Sequence, residues 1–339
     1  MEKLKDNLLV SDPFPDVKGQ ARTKKELASA LLVGRHLIIA GPPGIGKTTL
    51  AKGVAKLLPE IEVNDCSYHC DPGSPLCPEC RNKKPKTKRI SGEDRFVRIQ
   101  GSPDLTVEDI LGDIDPIKAL KFGPLSIEAF TPGKIFRANN GILFFDELNR
   151  CPEKLQNALL QVLQEGYATI GSYDIDIPAN FIFIATMNPE DFSGTERLST
   201  VLMDRFDVVY MSYPESLKVE KDIVKCNSEP LVKFPEPILD KAIGFVRDLR
   251  ESPNLERFPS VRASIGLYER AQSNALISGR DEVAFADVQE AILSVISHRI
   301  KLKPSIRYLK ENRQFIQEEF AKFFDSNKFS RGEDQGDSL

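Results

Sequence analysis

Short runs of apolar residues, rich in β-branched and aromatic side chains, punctuate the first part of the chain: Leu37–Ala40, Phe96–Ile99, Ile142–Phe145, Phe181–Thr186 and Val208–Met211. Most are apolar throughout instead of alternating, the pattern of strands buried on both faces of a parallel sheet. Between them the spacing turns helical. Leu155, Leu159, Val162 and Leu163 recur every three or four residues over Pro152–Glu165, where Pro152 suits a first turn. Thr49–Leu57 is a second predicted helix. Strands alternating with helices predict an α/β three-layer domain with ligands at the carboxyl ends of its strands. Past Tyr213-Pro214 the strand signal stops. Ser216–Cys226, Glu236–Arg250, Ser260–Ser278 and Phe285–Lys303 read as amphipathic helices, and one more is expected over Ser305–Phe324. Breaks fall at Glu229-Pro230, Phe234-Pro235, Phe258-Pro259 and Gly279-Arg280. The expectation is an α/β core over 1–215, an all-helical lid over 216–325 and a polar, disordered tail over 326–339.

Composition narrows the class. The chain of 339 residues is 41% hydrophobic and 28% charged, a globular balance that suits one large or two ordinary domains. Its apolar runs fall far short of the roughly 20 residues that a membrane-spanning helix needs. Met1-Glu2-Lys3-Leu4-Lys5-Asp6 lacks the apolar centre of a signal peptide, so a cytoplasmic location is expected. A net charge of −4 gives no global pull toward nucleic acid or an anionic membrane.

Directly after the first apolar run comes Gly41-Pro42-Pro43-Gly44-Ile45-Gly46-Lys47-Thr48, with Thr49 opening the predicted helix. A strand that feeds a glycine-rich turn and then a helix lets backbone N–H groups and the helix N-terminus face an anion. Lys47 is placed to reach the β- and γ-phosphates of a nucleotide, and the Thr48 hydroxyl can ligate Mg²⁺. The third apolar run ends in two acids, Asp146 for the metal and Glu147 to polarise a water. A plain glycine-rich turn beside an unrelated strand end is the bland alternative. The strand-loop-helix context and the independent acid pair argue against it. No Asn-Lys-x-Asp stretch that would read guanine occurs, which favours ATP over GTP.

With both phosphate motifs on one sheet edge, further stretches make the chain resemble an AAA+ ATPase over roughly residues 12 to 300. Asn188, in Ala185-Thr186-Met187-Asn188-Pro189, resembles the polar sensor that orients the attacking water. Arg205, in Leu202-Met203-Asp204-Arg205-Phe206, resembles the arginine finger. Arg262, in Ser260-Val261-Arg262-Ala263, resembles the second sensor that reaches the γ-phosphate. Val17-Lys18-Gly19-Gln20 resembles the stretch that meets the adenine. Outside the resemblance, Asn188 reads as a turn residue before a proline, Arg205 as a partner of Asp204 or Asp207, and Arg262 as a surface arginine. In this fold Arg205 lies at the far end of the sheet from its own phosphate loop. The resemblance therefore implies a homo-oligomeric, hexameric ring in which each subunit completes its neighbour's site.

Within the superfamily the chain is similar to MoxR-type ATPases and to the ATPase subunit of magnesium chelatase. Asp146-Glu147-Leu148-Asn149-Arg150, then Gln156-Asn157-Ala158-Leu159-Leu160, resembles MoxR. So does Gly194-Thr195-Glu196-Arg197-Leu198, although that family more often has an aromatic and a proline at the third and fourth of these positions. Gly112-Asp113-Ile114-Asp115, Lys118-Ala119-Leu120, Phe130-Thr131-Pro132-Gly133 and Ala138-Asn139-Asn140-Gly141-Ile142-Leu143 are similar to magnesium chelatase. A β-hairpin expected over Thr169–Pro178 and an insertion near Asp104–Ala129 are, by the same resemblance, candidate levers on a substrate; plain surface loops are the alternative.

Four cysteines crowd together as Cys66-x3-Cys70 and Cys77-x2-Cys80, inside an insert over 64–90, with Pro72, Gly73, Pro75 and Pro78 turning the chain between them. Two such loops can close a tetrahedral, structural zinc site. An iron–sulfur cluster, metal-free thiols and a redox-linked disulfide stay open as readings. His69 reads as a solvated histidine beside a complete thiolate set. The basic run Arg81, Lys83, Lys84, Lys86, Lys88 and Arg89 follows, either a solvated loop or a contact for an acidic partner or nucleic acid. The remaining cysteines, Cys151 and Cys226, are isolated.

These readings converge on a ring-forming ATP hydrolase that needs ATP and Mg²⁺ and remodels a client beside a von Willebrand A-domain partner, as MoxR relatives do. The runner-up is the motor subunit of a magnesium chelatase that inserts Mg²⁺ into protoporphyrin. A nucleic-acid motor on the same core is disfavoured by the net acidity and by the lack of an appended DNA-binding motif. A scaffold that binds ATP without turnover is disfavoured by the intact Glu147.

Overall fold

The computed structural model describes residues 2–75, 77–82, 85–124, 126–169, 176–189, 198 and 200–329. The chain divides into two compact units, 1–42 with 46–211 and 43–45 with 212–339. The hairpin tip Gly171-Ser172-Tyr173, Gly194–Arg197, Lys83, Lys84 and the last ten residues lie outside the described residues.

In the first unit the apolar runs form β1 (Leu37–Ala40), β2 (Phe96–Gln100), β3 (Gly141–Asp146), β4 (Phe181–Met187) and β5 (Asp207–Tyr210). They make one parallel sheet in the order β5-β1-β4-β3-β2. Runs of this kind become central strands because both faces are covered. Every side chain of β1 is buried, as are Ile142 to Phe145 of β3 and Phe183 to Thr186 of β4. Leu155, Leu159 and Val162 of α3 (Glu153–Glu165) pack into the same core as Leu143, Phe145 and Phe183. Each such side chain contributes about 1.5 to 3 kcal/mol when fully buried. The helix that follows β1, α2 (Lys47–Leu57), begins two residues earlier than the spacing predicts, and α1 (Ala21–Leu32) precedes β1.

Two-stranded ribbons project from this core: Ile61–Asn64 with Thr87–Ile90, Gly112–Ile114 with Phe130–Pro132, and Tyr167–Thr169 with Asp176–Pro178. The last pair forms the flanks of the hairpin expected over Thr169–Pro178. Arg95 anchors the first ribbon's root. The residue is 2% exposed and its guanidinium donates to the carbonyls of Ser91, Pro59 and Asn140, so a buried cation is spent on backbone acceptors.

The second unit contains α4 (Leu217–Cys226), α5 (Glu236–Glu251), α6 (Val261–Ile277), α7 (Phe285–Ile296) and α8 (Asn312–Phe329). It is not all helical. The helix expected to run to Lys303 stops at Ile296, and Lys301–Leu302 pairs antiparallel with Leu255–Arg257. An extended segment buries both Ile300 and Leu302, on alternate positions, which a continued helix would not do. The helix expected over Ser305–Phe324 is likewise two pieces, Pro304–Arg307 and α8, and α8 runs to Phe329 into the stretch read as tail. Asn312 fixes the second start by donating to the carbonyls of Ser297 (2.9 Å) and Ile300 (3.3 Å). Among the described residues no helix is long and apolar enough to cross a membrane.

A buried carboxylate ties three of these helices together. Glu220 of α4 is fully buried and accepts from Arg250 of α5 at 2.7 and 2.8 Å, from Arg247 at 3.2 Å and from Ser264 of α6 at 2.6 Å. Burial alone would raise its pKa, but Arg250, Ser264 and Arg247 outweigh that and hold it below the ordinary glutamate range. A lowered folded-state pKa gives stability that is present above the unfolded value near 4.5 and is lost as pH falls through the folded one. Glu220→Ala, which strands Arg250 without its partner, is expected to cost about 3 to 5 kcal/mol in chemical denaturation and to remove this acid-side loss. A variant as stable as the parent on both sides of pH 4.5 would rule the network out as the brace.

Candidate active site

The site is built where β1 and β3 end. After Ala40 the chain turns into the glycine-rich loop, and the Gly41 N–H donates to the Met187 carbonyl of β4 at 3.2 Å. Gly46 takes φ +102°, a left-handed conformation that favours glycine, and it lets α2 start at once. Lys47, first in α2, donates from Nζ to the carbonyls of Gly41 (2.5 Å) and Pro42 (2.8 Å), so its ammonium is folded across the loop. Thr48 and Thr49 follow in the first helical turn, where backbone N–H groups have no intrahelical acceptor and suit an anion.

The acid pair closes β3 and is held from both neighbouring strands. On one side, the buried Thr186 of β4 donates from its hydroxyl to Asp146 Oδ1 at 2.7 Å and accepts the Glu147 N–H at 3.0 Å. On the other, Arg98 and Gln100 of β2 reach across: Arg98 Nη2 donates to Asp146 Oδ2 at 2.5 Å and Gln100 Nε2 to Glu147 Oε2 at 2.9 Å. Arg150 adds an ion pair to Glu147 at 3.2 Å. The Glu147 backbone sits at φ +58°, ψ +53°, an uncommon conformation for a side-chain-bearing residue. Gly101 makes that turn possible. Its N–H donates to the Asp146 carbonyl at 2.7 Å, and a Cβ there would lie 2.1 Å from the Glu147 carbonyl oxygen.

Asn188 follows β4 directly and is half-buried. Gln20 stands at the start of α1 with φ +57°, where its amide oxygen accepts from Thr23, whose hydroxyl lies 2.8 Å from the Tyr210 carbonyl of β5. Arg205 lies elsewhere. It precedes β5, whose first residue, Asp207, is level with Leu37, whereas the glycine-rich loop opens past Ala40, which is level with Tyr210. Arg205 therefore belongs to the amino edge of the sheet, at least about 10 Å along the strands from the carboxyl edge. It donates from Nη1 to the Val201 carbonyl at 2.7 Å, and the Gln164 amide oxygen, turned toward it, accepts from Nε and Nη2 at 2.5 Å. Asp204 and Asp207 take no part in holding it. In the second unit, Arg262 is the second residue of α6, and a Cβ on Gly44 would approach Ser260 Oγ to 2.8 Å and Arg262 Cδ to 3.2 Å. Cys66, Cys70, Cys77 and Cys80 come together with all four sulfurs within 4.8 Å of one another.

Arg98, Gln100, Gly101, Arg150 and Thr186 escaped the sequence reading. Thr186 carried a signal, a hydroxyl at the end of an otherwise apolar run. Arg98 and Gln100 carried none, because their role depends on the register that sets Gln100 opposite Asp146.

Comparison with known proteins agrees with this geometry. Residues 85–208 match the ATPase family associated with various cellular activities (AAA), 250–319 the AAA lid domain, and 13–70 the magnesium chelatase subunit ChlI family. The magnesium-chelatase subunit ChlI homolog of Methanocaldococcus jannaschii is 30% identical over 86% of this chain and 86% of its own. The magnesium-chelatase 38 kDa subunit of Acidiphilium rubrum is 27% identical over 86% and 92%. A solved complex between subunits BchI and BchD of magnesium chelatase contains a chain 21% identical to this one, with a TM-score of 0.49, covering 87% of this chain and 98% of that one.

Thr186→Val removes both hydrogen bonds that β4 makes to the acid pair and leaves a buried acceptor and donor unmet, a loss of about 1 to 3 kcal/mol. Triphosphate turnover is expected to fall by about tenfold or more with little change in nucleotide affinity. Gly101→Ala should act in the same direction through displacement of Glu147. Turnover within twofold of the parent in both variants would show that the acids need neither support.

Proposed function

The chain belongs to the AAA+ ATPases of the magnesium-chelatase ChlI family, and from that premise we propose that it is the motor of a ring that couples ATP hydrolysis to remodelling a partner complex. The observation that carries the reading is Arg205. A cation at the amino edge of the sheet cannot serve the loop at the carboxyl edge of its own chain, but it can serve a neighbour's, which makes the site a joint product of two copies. A hexameric ring and a von Willebrand A-domain partner go with this reading, as does a cytoplasmic location.

The residues present fit the chemistry. Loop N–H groups and Lys47 receive the phosphates. Thr48 and Asp146 are hard oxygen donors of the kind Mg²⁺ takes, and Thr186 fixes the Asp146 carboxylate in place. Held by Thr48 and Asp146, Mg²⁺ would supply positive charge against the negative charge that develops on the phosphate oxygens. Glu147 holds the water that attacks the γ-phosphorus as the bridging oxygen departs with ADP; Asn188 orients that water and Gln100 steadies Glu147. Arg205 of the adjoining copy and Arg262 stabilise the equatorial oxygens, and a finger of this kind is worth about 10³ to 10⁵ in rate.

A second reading, the motor subunit of a magnesium chelatase, is favoured by the names of the relatives above. It differs in its partner: the porphyrin-binding subunit, which would hold protoporphyrin. ATPase stimulation by that purified subunit supports chelation. Stimulation only by a von Willebrand A-domain protein supports remodelling of another client.

Glu147→Gln is expected to bind ATP as the parent does while turnover falls by about a hundredfold or more. Equal amounts of Arg205→Ala and Glu147→Gln chains, each nearly inactive alone, should together recover up to about a quarter of the parental turnover, because an intact acid pair on one chain meets an intact finger on its neighbour. A mixture as inactive as either variant alone, in assemblies shown to contain both chains, would refute the shared site.

A further inference from the structure

The insert between α2 and β2 holds a cluster that ATP hydrolysis does not use. Cys66 and Cys70 follow the ribbon strand Ile61–Asn64, and Cys77 and Cys80 lie at and beside the short helix Pro78–Asn82. Cys70, Cys77 and Cys80 are buried, Cys66 is partly so, and no disulfide joins any two of them. Four sulfurs around one zinc at about 2.3 Å stand about 3.8 Å apart. The observed spread, within 4.8 Å, needs about 1 Å of contraction to reach that shell.

The backbone around the sulfurs is arranged for anions. The Cys70 N–H points at Cys66 Sγ (3.4 Å), the Cys77 N–H at Cys70 Sγ (3.3 Å) and the Cys80 N–H at Cys77 Sγ (3.4 Å). Donors aimed at sulfur favour the thiolate, the form that ligates metal. Zinc with four thiolates carries a net charge of −2, and the same insert carries Arg81, Lys86, Lys88 and Arg89, of which Lys88 pairs with Asp65. A closed shell of four thiolates has no open position for a substrate, so the ion's role is structural.

The cluster is also wired to the sheet. Tyr68, between the first two cysteines, packs its ring on Phe136 with centroids 5.6 Å apart, and its carbonyl accepts from Asn139 Nδ2 at 3.4 Å. The Asn139 side-chain oxygen in turn accepts the Asn180 N–H at 3.1 Å. Asn139 lies two residues before β3 and Asn180 directly before β4, the strands that deliver Asp146, Glu147 and Thr186.

The geometry points to a zinc ion bound by Cys66, Cys70, Cys77 and Cys80 that clamps the insert onto the turns from which β3 and β4 start. The test uses the full chain purified under reducing conditions without added chelator. Elemental analysis should find about one zinc per chain, and growth in cobalt should give the visible bands of tetrahedral cobalt thiolate. Cys70→Ser and Cys77→Ser should each reduce zinc to below about a tenth of an equivalent. If those variants do not fold, the parent stripped by a strong chelator replaces them. In the metal-depleted protein, amide hydrogen exchange of residues 136–142 and 180–183 should speed up at least severalfold, independently of any nucleotide. Iron in place of zinc, four free thiols without metal, or a disulfide among the four would overturn the assignment. Zinc present but unchanged exchange in those segments on its removal would overturn the clamp.

Discussion

Two adjacent residues of β4 hold the halves of the site together. The Thr186 hydroxyl donates to Asp146 and accepts from the Glu147 backbone, and the next carbonyl, that of Met187, receives the Gly41 N–H from the glycine-rich loop. Because β4 lies between β1 and β3 in the sheet, the glycine-rich loop and the acid pair are fixed to one strand instead of to each other. Parallel pairing is what makes this work, since all these strands then end on one edge.

The acids are held in a conformation the chain would not adopt unaided. Glu147 has a left-handed backbone, and its carbonyl lies where only a glycine at position 101 leaves room. Strain of this kind persists only when the surroundings over-determine it. Here Thr186, Gln100 and Arg150 all hold the same residue, which keeps a carboxylate aimed without a flexible loop. Arg98 of β2 pairs with Asp146, so that carboxylate already has a cationic partner on the neighbouring strand. Similar economy recurs away from the site, where Arg95 and Glu220 are buried ions whose bonding capacity is spent on tying elements together.

The fold class was legible because doubly covered strands must be apolar throughout, and the runs at Leu37, Ile142 and Phe181 were. The loop and acid pair were legible because glycine, lysine and paired acids in that spacing have few other uses. Helix ends in the second unit were not. The stretch around Ile300 and Leu302 has residues compatible with helix, and only the burial of alternate positions against Leu255 turns it into a strand. The supports of the acid pair were hidden for a related reason: Gln100 and Asp146 are 46 positions apart, and only strand register brings them level. Arg205 was legible as a motif, while its tethering to Gln164 and Val201, in place of its acidic neighbours, was not.

The sheet thus separates the glycine-rich loop and the acid pair at its carboxyl edge from Arg205 at its amino edge, and in the proposed reaction these are two halves of one site. The most direct test of that separation is ATP turnover per chain measured across a dilution series, with the assembly state followed in parallel by sedimentation. Turnover per chain should fall steeply where the assembly dissociates, approaching the rate of an Arg205→Ala protein. Undiminished turnover at concentrations where only single chains sediment would contradict the account.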